Sequence, residues 1–101
     1  MPRQRDTKTV RLRIHGRVQG VFYRAWTVGE AQARGLRGWI RNRSDGTVEA
    51  VISGLADKVD DLIAACRSGP PRASVTAIDV LEAEQSEAEI YGSGFRQAPT
   101  G

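Results

Sequence analysis

The sequence predicts an α+β fold in which two helices cover one face of a mostly antiparallel sheet. Two observations support this prediction. Segments with alternating apolar and polar residues and segments with apolar residues every three to four positions follow one another in the order β-α-β-β-α-β. The chain has 101 residues, which is the size of one domain. This order is typical of the ferredoxin-like two-layer sandwich, in which right-handed crossovers favour the strand order 4-1-3-2.

A glycine-containing loop separates the first predicted strand from the first predicted helix. Val10, Leu12 and Ile14 alternate with polar residues, as in a half-buried strand. The stretch Gly16–Gly20 then interrupts the pattern. Residues from about Phe22 to Arg34 include several Ala, Glu, Gln and Arg, and the glycine that follows is a common stop signal. We therefore expect a strand, a loop and a helix in this order.

Two further strands form a predicted hairpin. The segments Arg37–Asn42 and Thr47–Ser53 are joined by a turn that contains Asp45-Gly46. Asp-Gly between apolar segments is a strong hairpin signal because glycine accepts the positive φ of the turn. The residues expected to face inward are Val48, Ala50 and Ile52.

The second predicted helix has one apolar stripe and a clear end. Its apolar residues at helical spacing are Leu55, Val59, Leu62, Ile63 and Cys66. The sequence Gly69-Pro70-Pro71 ends the helix because neither proline can continue it.

The last predicted long strand runs from about Ala73 to Glu84. Val75 falls out of phase with the apolar residues that follow it, so we expect a bulge near Thr76 or Ala77. Phe95 is a candidate for a short fifth strand, whose place in the sheet the sequence does not give.

The composition indicates one soluble domain with a mild preference for anions. We expect a flexible arm over residues 1–8, a domain over residues 9–97 and a flexible tail over residues 98–101. The net charge is +3, and the one cysteine cannot form an intrachain disulfide. No apolar run approaches the roughly 20 residues that cross a bilayer, and no signal peptide is recognisable. These features predict a cytoplasmic monomer that binds neither membrane nor nucleic acid.

The loop after the first strand is a candidate anion-binding site. Glycines at both ends of Gly16–Gly20 allow the backbone N–H groups to point to one place, and the helix behind them adds the positive end of its dipole. A plain tight turn is the alternative. Arg24 lies in the first turn of that helix, where a cation opposes the dipole, and its guanidinium can bond two phosphate oxygens. The alternative for Arg24 is a surface arginine that covers Trp26 or pairs with Glu30.

Asn42 is the second candidate. It ends a predicted strand just before the hairpin turn, where asparagine is most often a turn former. A functional asparagine there would hold a water and donate a hydrogen bond to an oxyanion.

With these two motifs in view, the chain resembles the acylphosphatase family over residues 9–85. The first family signature is matched by Gly16-Arg17-Val18-Gln19-Gly20-Val21-Phe22-Tyr23-Arg24, and the second by Gly38-Trp39, Asn42, Asp45-Gly46, Val48 and Gly54. Three features depart from the family pattern: Ile40 is bulky, Arg34 replaces a common leucine, and the chain lacks a clear apolar last strand.

The resemblance implies an enzyme that hydrolyses acyl phosphates to a carboxylate and inorganic phosphate. By resemblance, Arg24 binds the substrate phosphate, Asn42 orients the attacking water, and the backbone amides of the loop hold the phosphate. The predicted phosphate-binding residues are Gly16, Arg17, Val18, Gln19, Gly20, Val21 and Arg24.

The sequence predicts no metal and no cofactor. It has no cluster of Cys, His and carboxylates at metal-ligand spacing. His15 is expected to face outward in a structural role and Cys66 to lie in the core. Acyl phosphates are activated anhydrides with a good leaving group, so positioning and charge stabilisation are enough for catalysis.

Three other functions remain open at this point. An RNA-binding module of the same fold would need aromatic residues on its two central strands, and Val10–Ile14 and Thr47–Ile52 have none. A module that handles carbamoyl phosphate would normally belong to a longer chain. An anion sensor without turnover is the third.

Overall fold

The computed structural model describes residues 6–101, and within this range it has a five-stranded sheet, two α-helices and one 3₁₀ helix. The elements are β1 (Thr7–Arg17), α1 (Tyr23–Ala33), β2 (Arg37–Asn42), β3 (Val48–Leu55), α2 (Ala56–Ser68), β4 (Ser74–Glu82), the 3₁₀ helix (Gln85–Glu89) and β5 (Phe95–Gln97). The strand order is β4-β1-β3-β2-β5. All neighbouring strands are antiparallel except β2 and β5. This confirms the predicted fold and strand order, and it places the fifth strand outside β2.

The main core lies between the sheet and the two helices, on what we call the helix face. The alternating residues Val10, Leu12 and Ile14 of β1 point into this core. Cys66 of α2 is fully buried there, as the sequence predicted. The hydroxyl of Tyr23 donates a hydrogen bond of 2.7 Å to the carbonyl oxygen of Cys66, which ties the start of α1 to the end of α2.

A smaller apolar cluster covers part of the opposite side of the sheet, which we call the far face. It is formed by Trp39, Val51, Ala88 and Ala98. The indole N–H of Trp39 donates to the carbonyl oxygen of Glu87 in the 3₁₀ helix, at 2.8 Å. The sequence did not predict this second cluster, because the 3₁₀ helix is too short to show an apolar period.

The two ends of the domain differ from prediction. β1 begins at Thr7, so two residues of the predicted arm belong to the sheet, and residues 1–5 lie outside the described residues. The predicted flexible tail, residues 98–101, instead continues along β2. The backbone N–H of Ala98 bonds to the carbonyl oxygen of Ile40 at 2.8 Å, and that of Gly101 bonds to the carbonyl oxygen of Asn42 at 3.0 Å. The terminal position of these residues suggested flexibility, but the outer edge of β2 supplies hydrogen-bond partners for this backbone.

No helix within residues 6–101 is long and apolar enough to span a membrane.

Candidate active site

Two backbones approach each other closely near the end of β1, just before the loop. The pairing of β1 with β4 shifts between His15, opposite Ala77, and Gly16, opposite Val75, so the predicted bulge near Thr76 is present. Gly16 has a φ of 115°, and a Cβ at this position would overlap the carbonyl oxygen of Ser74. Only glycine fits here, and β1 continues past it to Arg17, which is still paired with Ser74 of β4. The loop itself therefore begins after Arg17, two residues later than the sequence predicted.

The loop is anchored on both sides of its tip. Val18 and Val21 are buried in the core of the helix face, whereas Arg17 is exposed. Between the two valines, Gly20 has a φ of 74° with open space around it, so it is needed for its conformation rather than for room. The Gln19–Gly20 tip is therefore held between two buried side chains.

The side chain of Gln19 joins the loop to the β2–β3 hairpin. Its amide nitrogen donates to the carbonyl oxygens of Arg43 and Thr47, both at 2.9 Å. The sequence assigned Gln19 only a backbone role. No sequence pattern signals this contact, because it depends on the pairing of β1 with β3. The contact brings the loop next to the end of β2.

Asn42 lies at that end of β2. It is opposite Val48 of β3, and Val48 is opposite Ile14 of β1, so the three residues form a row across the sheet. Its side chain is on the helix face, because strand side chains alternate and Ile40 packs in that core. The Asn42 Oδ1 atom is buried and has no hydrogen-bond partner among the described residues. A buried acceptor of this kind can hold a donor such as a water molecule.

The first turn of α1 is uncapped and carries a cation. Phe22 occupies the N-cap position, makes no side-chain capping bond and has a φ of 69°, and no acidic residue lies in the first turn. The N–H groups of that turn therefore lack a side-chain cap and can bind an anion. Arg24 is the second residue of α1 and makes no side-chain hydrogen bond or ion pair with any described residue. Glu30, its possible partner, pairs instead with Arg34 at 2.8 Å.

The loop, the start of α1 and β5 line an open cavity of about 180 Å³. Its lining includes Gly20, Phe22 and Arg24, together with Gln97 of β5. Sequence reasoning did not find Gln97, because the place of β5 in the sheet was unknown. The structure thus gathers the loop and Arg24 around one cavity. The Gln19 contact holds the loop beside the hairpin that begins after Asn42.

The family model described as acylphosphatase matches residues 10–97 of this chain. The chain belongs to the acylphosphatase family. The matched range contains the whole loop, Arg24 and Asn42, and it confirms the resemblance that the two sequence motifs indicated. Family membership favours an acylphosphatase over the RNA-binding or anion-binding module.

Relatives named acylphosphatase match over almost their whole length. One from Azorhizobium caulinodans is 55% identical over 94 residues, which cover 93% of this chain and 98% of the relative. One from Azoarcus sp. strain BH72 is 52% identical over 101 residues, with 99% of each chain covered. The solved structure of an acylphosphatase from Coxiella burnetii has a TM-score of 0.81 at 34% identity and covers 91% of this chain and 93% of that chain.

In this acylphosphatase-family chain, a buried carboxylate lies behind Asn42 on the far face. Glu49 is 3% exposed, and its Oε1 accepts hydrogen bonds from Arg41 at 2.9 Å and Arg43 at 3.2 Å, the two neighbours of Asn42. Arg11 also pairs with this carboxylate. We call these four residues the Glu49 cluster. Burial raises the pKa of the Glu49 carboxyl, but hydrogen bonds from Arg41 and Arg11 outweigh burial and lower that pKa below its ordinary value.

The hairpin turn after Asn42 is fixed by its own side chains. The Asp45 Oδ1 atom accepts hydrogen bonds from the backbone N–H of Thr47 at 2.9 Å and from its hydroxyl at 2.6 Å. These bonds lower the pKa of the Asp45 carboxyl. Thr47 is also one of the two residues that Gln19 contacts, so the turn gives the loop a firm support.

The remaining candidate residues have structural surroundings. His15 pairs with Asp79 at 2.9 Å on the far face of the sheet. Burial raises the pKa of the Cys66 thiol to about 11. Within residues 6–101, no group of three or more His, Cys, Asp or Glu side chains is arranged to hold a metal ion.

Proposed function

We propose that this protein is an acylphosphatase enzyme, which hydrolyses acyl phosphates to a carboxylate and inorganic phosphate. The observation that supports this most strongly is the unpaired Arg24 at the uncapped start of α1, beside a glycine loop that Gln19 holds against the end of β2. Membership of the acylphosphatase family over residues 10–97 supports the same reaction.

The phosphate of the substrate would be bound by main-chain and side-chain donors together. The backbone N–H groups from Gly16 to Val21 and the guanidinium of Arg24 bond its oxygens. Hydrogen bonds to a charged group are worth about 1.5–3 kcal/mol each. Because the transferred phosphoryl group spreads charge over three oxygens, a ring of N–H donors with one arginine stabilises the transition state.

Asn42 would place the attacking water. Its Oδ1 accepts a hydrogen bond from the water, and its amide nitrogen donates to a phosphoryl oxygen. The water oxygen attacks phosphorus in line, the bond from phosphorus to the acyl oxygen breaks, and its electron pair leaves on the carboxylate. The water proton passes to a phosphate oxygen, so no side-chain base is required.

We also propose that the enzyme acts as a cytoplasmic monomer on small acyl phosphates, without a metal or cofactor. Neither nucleic acid nor membrane is expected as a partner. The modest net charge of +3 and the reduced state expected for the single cysteine support this setting.

Phosphate release from acetyl phosphate and benzoyl phosphate, measured in EDTA, tests the function. We expect turnover in EDTA and competitive inhibition by inorganic phosphate. Asn42→Ala should lower kcat by about 100-fold or more, the scale of a lost oxyanion donor, with the fold retained. Arg24→Lys should be almost as inactive as Arg24→Ala, because planarity matters more than charge.

His15→Gln is the matched control, since His15 lies outside the proposed site and should leave kcat unchanged. Loss of activity on chelation would contradict the metal-free reaction. Near-normal turnover by Asn42→Ala would remove this residue from the mechanism, and recovery of activity by Arg24→Lys would remove the need for a planar cation.

A further inference from the structure

Phe22 combines two features that the fold does not require. Its side chain is 71% exposed, and it is the one non-glycine residue among residues 6–101 with a positive φ, at 69°. A left-handed conformation is strained in a non-glycine residue, and such residues concentrate at functional sites. Exposure of an aromatic ring also forgoes the stabilisation that its burial would give.

Structural roles do not account for the ring. Phe22 does not cap α1 through its side chain, and its exposure means that it adds little to the core. Asparagine or glycine would adopt the same backbone conformation with less strain. A single exposed apolar residue needs no explanation by itself, and Leu81 and Ile90 are further examples. Phe22 differs from these two because it lines the cavity that contains Arg24.

The lining of the cavity combines one cation with uncharged residues. Arg24 can bind an anion, whereas Phe22 and Gln97, which line the same cavity, carry no charge. The cavity volume of about 180 Å³ is smaller than the roughly 300–1,000 Å³ of sites that enclose a whole drug-sized ligand. The space therefore suits one group attached to a bound phosphate, and larger groups would extend into solvent.

We propose that Phe22 and Gln97 form the subsite for the acyl group, and that the Phe22 ring favours flat aromatic acyl phosphates over acetyl phosphate. This inference rests on the proposed function. With the phosphate on the loop and Arg24, the acyl group enters the same cavity and packs on the Phe22 ring. Gln97 lines this cavity as well. The ring contact is made before and during the reaction, so it lowers KM more than it raises kcat.

The test compares benzoyl phosphate with acetyl phosphate in the wild type and in two variants. Phe22→Gly removes the ring, accepts the positive φ and adds no side chain that could cap α1. We expect the ratio of the two kcat/KM values to fall about three- to tenfold in favour of acetyl phosphate, from the typical strength of aromatic contacts. The change should lie in the KM for benzoyl phosphate. Phe22→Tyr keeps the ring and should retain the ratio within about twofold.

Inhibition by inorganic phosphate and turnover of acetyl phosphate separate the outcomes. The inhibition constant of inorganic phosphate should stay within about twofold of wild type in Phe22→Gly, which would show that the fold and the phosphate site are intact, and kcat/KM should fall less for acetyl phosphate than for benzoyl phosphate. Ile90→Gly, a change at an exposed apolar residue outside the cavity, is the control and should leave the ratio unchanged. An unchanged ratio in Phe22→Gly, or an equal loss with both substrates, would overturn the acyl subsite. Absence of turnover with either substrate in the wild type would instead overturn the proposed function.

Discussion

The two faces of the sheet are held together by different interactions, although the same strands form both. The helix face is an apolar core, in which Leu12 and Ile52 pack below the helices. The far face has the Glu49 cluster together with a small apolar cluster around Trp39 and Val51. Successive residues of β3 lie on alternate faces. Ala50 and Ile52 belong to the helix face, and Glu49 and Val51 belong to the far face.

The difference shows that a strand can be buried on both faces without being apolar on both. Glu49 is buried because the stems of three arginines and the 3₁₀ helix cover it, and Arg11 also pairs with Glu87 of that helix. Burial of an ion pair costs desolvation, so the far face should contribute less stability than the helix face and should depend on pH. The following four substitutions test this comparison, from the largest expected effect to the smallest.

Leu12→Ala should have the largest effect. Leu12 is fully buried on the helix face between β3 and β4, so its truncation should lower the free energy of unfolding by about 3 kcal/mol through lost burial and a cavity. Urea unfolding at pH 7 and at pH 3.5 measures this loss, which should be similar at both pH values. A loss below about 1 kcal/mol would mean that the helix face is not the dominant core.

Glu49→Gln should lower the free energy of unfolding by about 2 kcal/mol at pH 7. This expected loss is smaller than the loss from breaking a fully buried ion pair, because the three arginines are partly exposed. The folded-state pKa of Glu49 lies below the ordinary value of 4.5. The carboxylate therefore stabilises the fold fully above the unfolded-state pKa, and this stabilisation is lost as the pH falls through the folded-state pKa.

The same urea experiment gives the check for Glu49. The difference between wild type and Glu49→Gln should shrink from pH 7 towards acid, unlike that of Leu12→Ala. A difference that stays constant with pH would show that packing, rather than charge, determines the contribution of Glu49.

Trp39→Phe should cost about 1 kcal/mol, because it removes the hydrogen bond to the Glu87 carbonyl and keeps an aromatic ring on the far face. The indole also contacts Tyr91, with ring centroids 5.1 Å apart, and the guanidinium of Arg41, 5.2 Å from its centroid. Thermal unfolding by circular dichroism measures the change. A loss comparable to that of Leu12→Ala would place a principal core on the far face.

His15→Gln should change the free energy of unfolding by less than about 0.5 kcal/mol. The His15–Asp79 pair is also on the far face, but its side chains are 38% and 64% exposed. The His15–Asp79 pair and the Glu49 cluster share a face but differ in exposure. Comparing the two substitutions therefore shows whether burial or the face determines how much an ion pair adds to stability. A loss near that of Glu49→Gln would mean that exposure does not weaken ion pairs on this sheet.

The parts of the fold that follow from local patterns were predicted well. The bounds of β2, Arg37–Asn42, agree with prediction, and the bulge at Thr76 followed from one residue out of phase. What could not be predicted depends on pairing between distant segments. The parallel contact of β5 with β2 and the course of residues 98–101 along β2 use backbone groups, which have no sequence signal of their own.

The candidate site shows the same division. Arg24 in the first turn of α1 and Asn42 at the end of β2 lie where the local patterns indicated, and their catalytic roles remain predictions. The Gln19 side chain and Gln97 were missed, since each acts across strands that are far apart in sequence.

The rate at which the single cysteine is alkylated can be used to measure transient opening of the protein core. Cys66 is fully buried in the core of the helix face, and burial raises the pKa of its thiol to about 11, so in the closed fold almost none of it is the reactive thiolate at neutral pH. Alkylation therefore requires an opening of the core that exposes Cys66. Because Tyr23, the neighbour of Arg24, bonds to the Cys66 carbonyl, the labelling rate of the unmodified protein then measures how often the core beside the start of α1 opens, without any introduced probe.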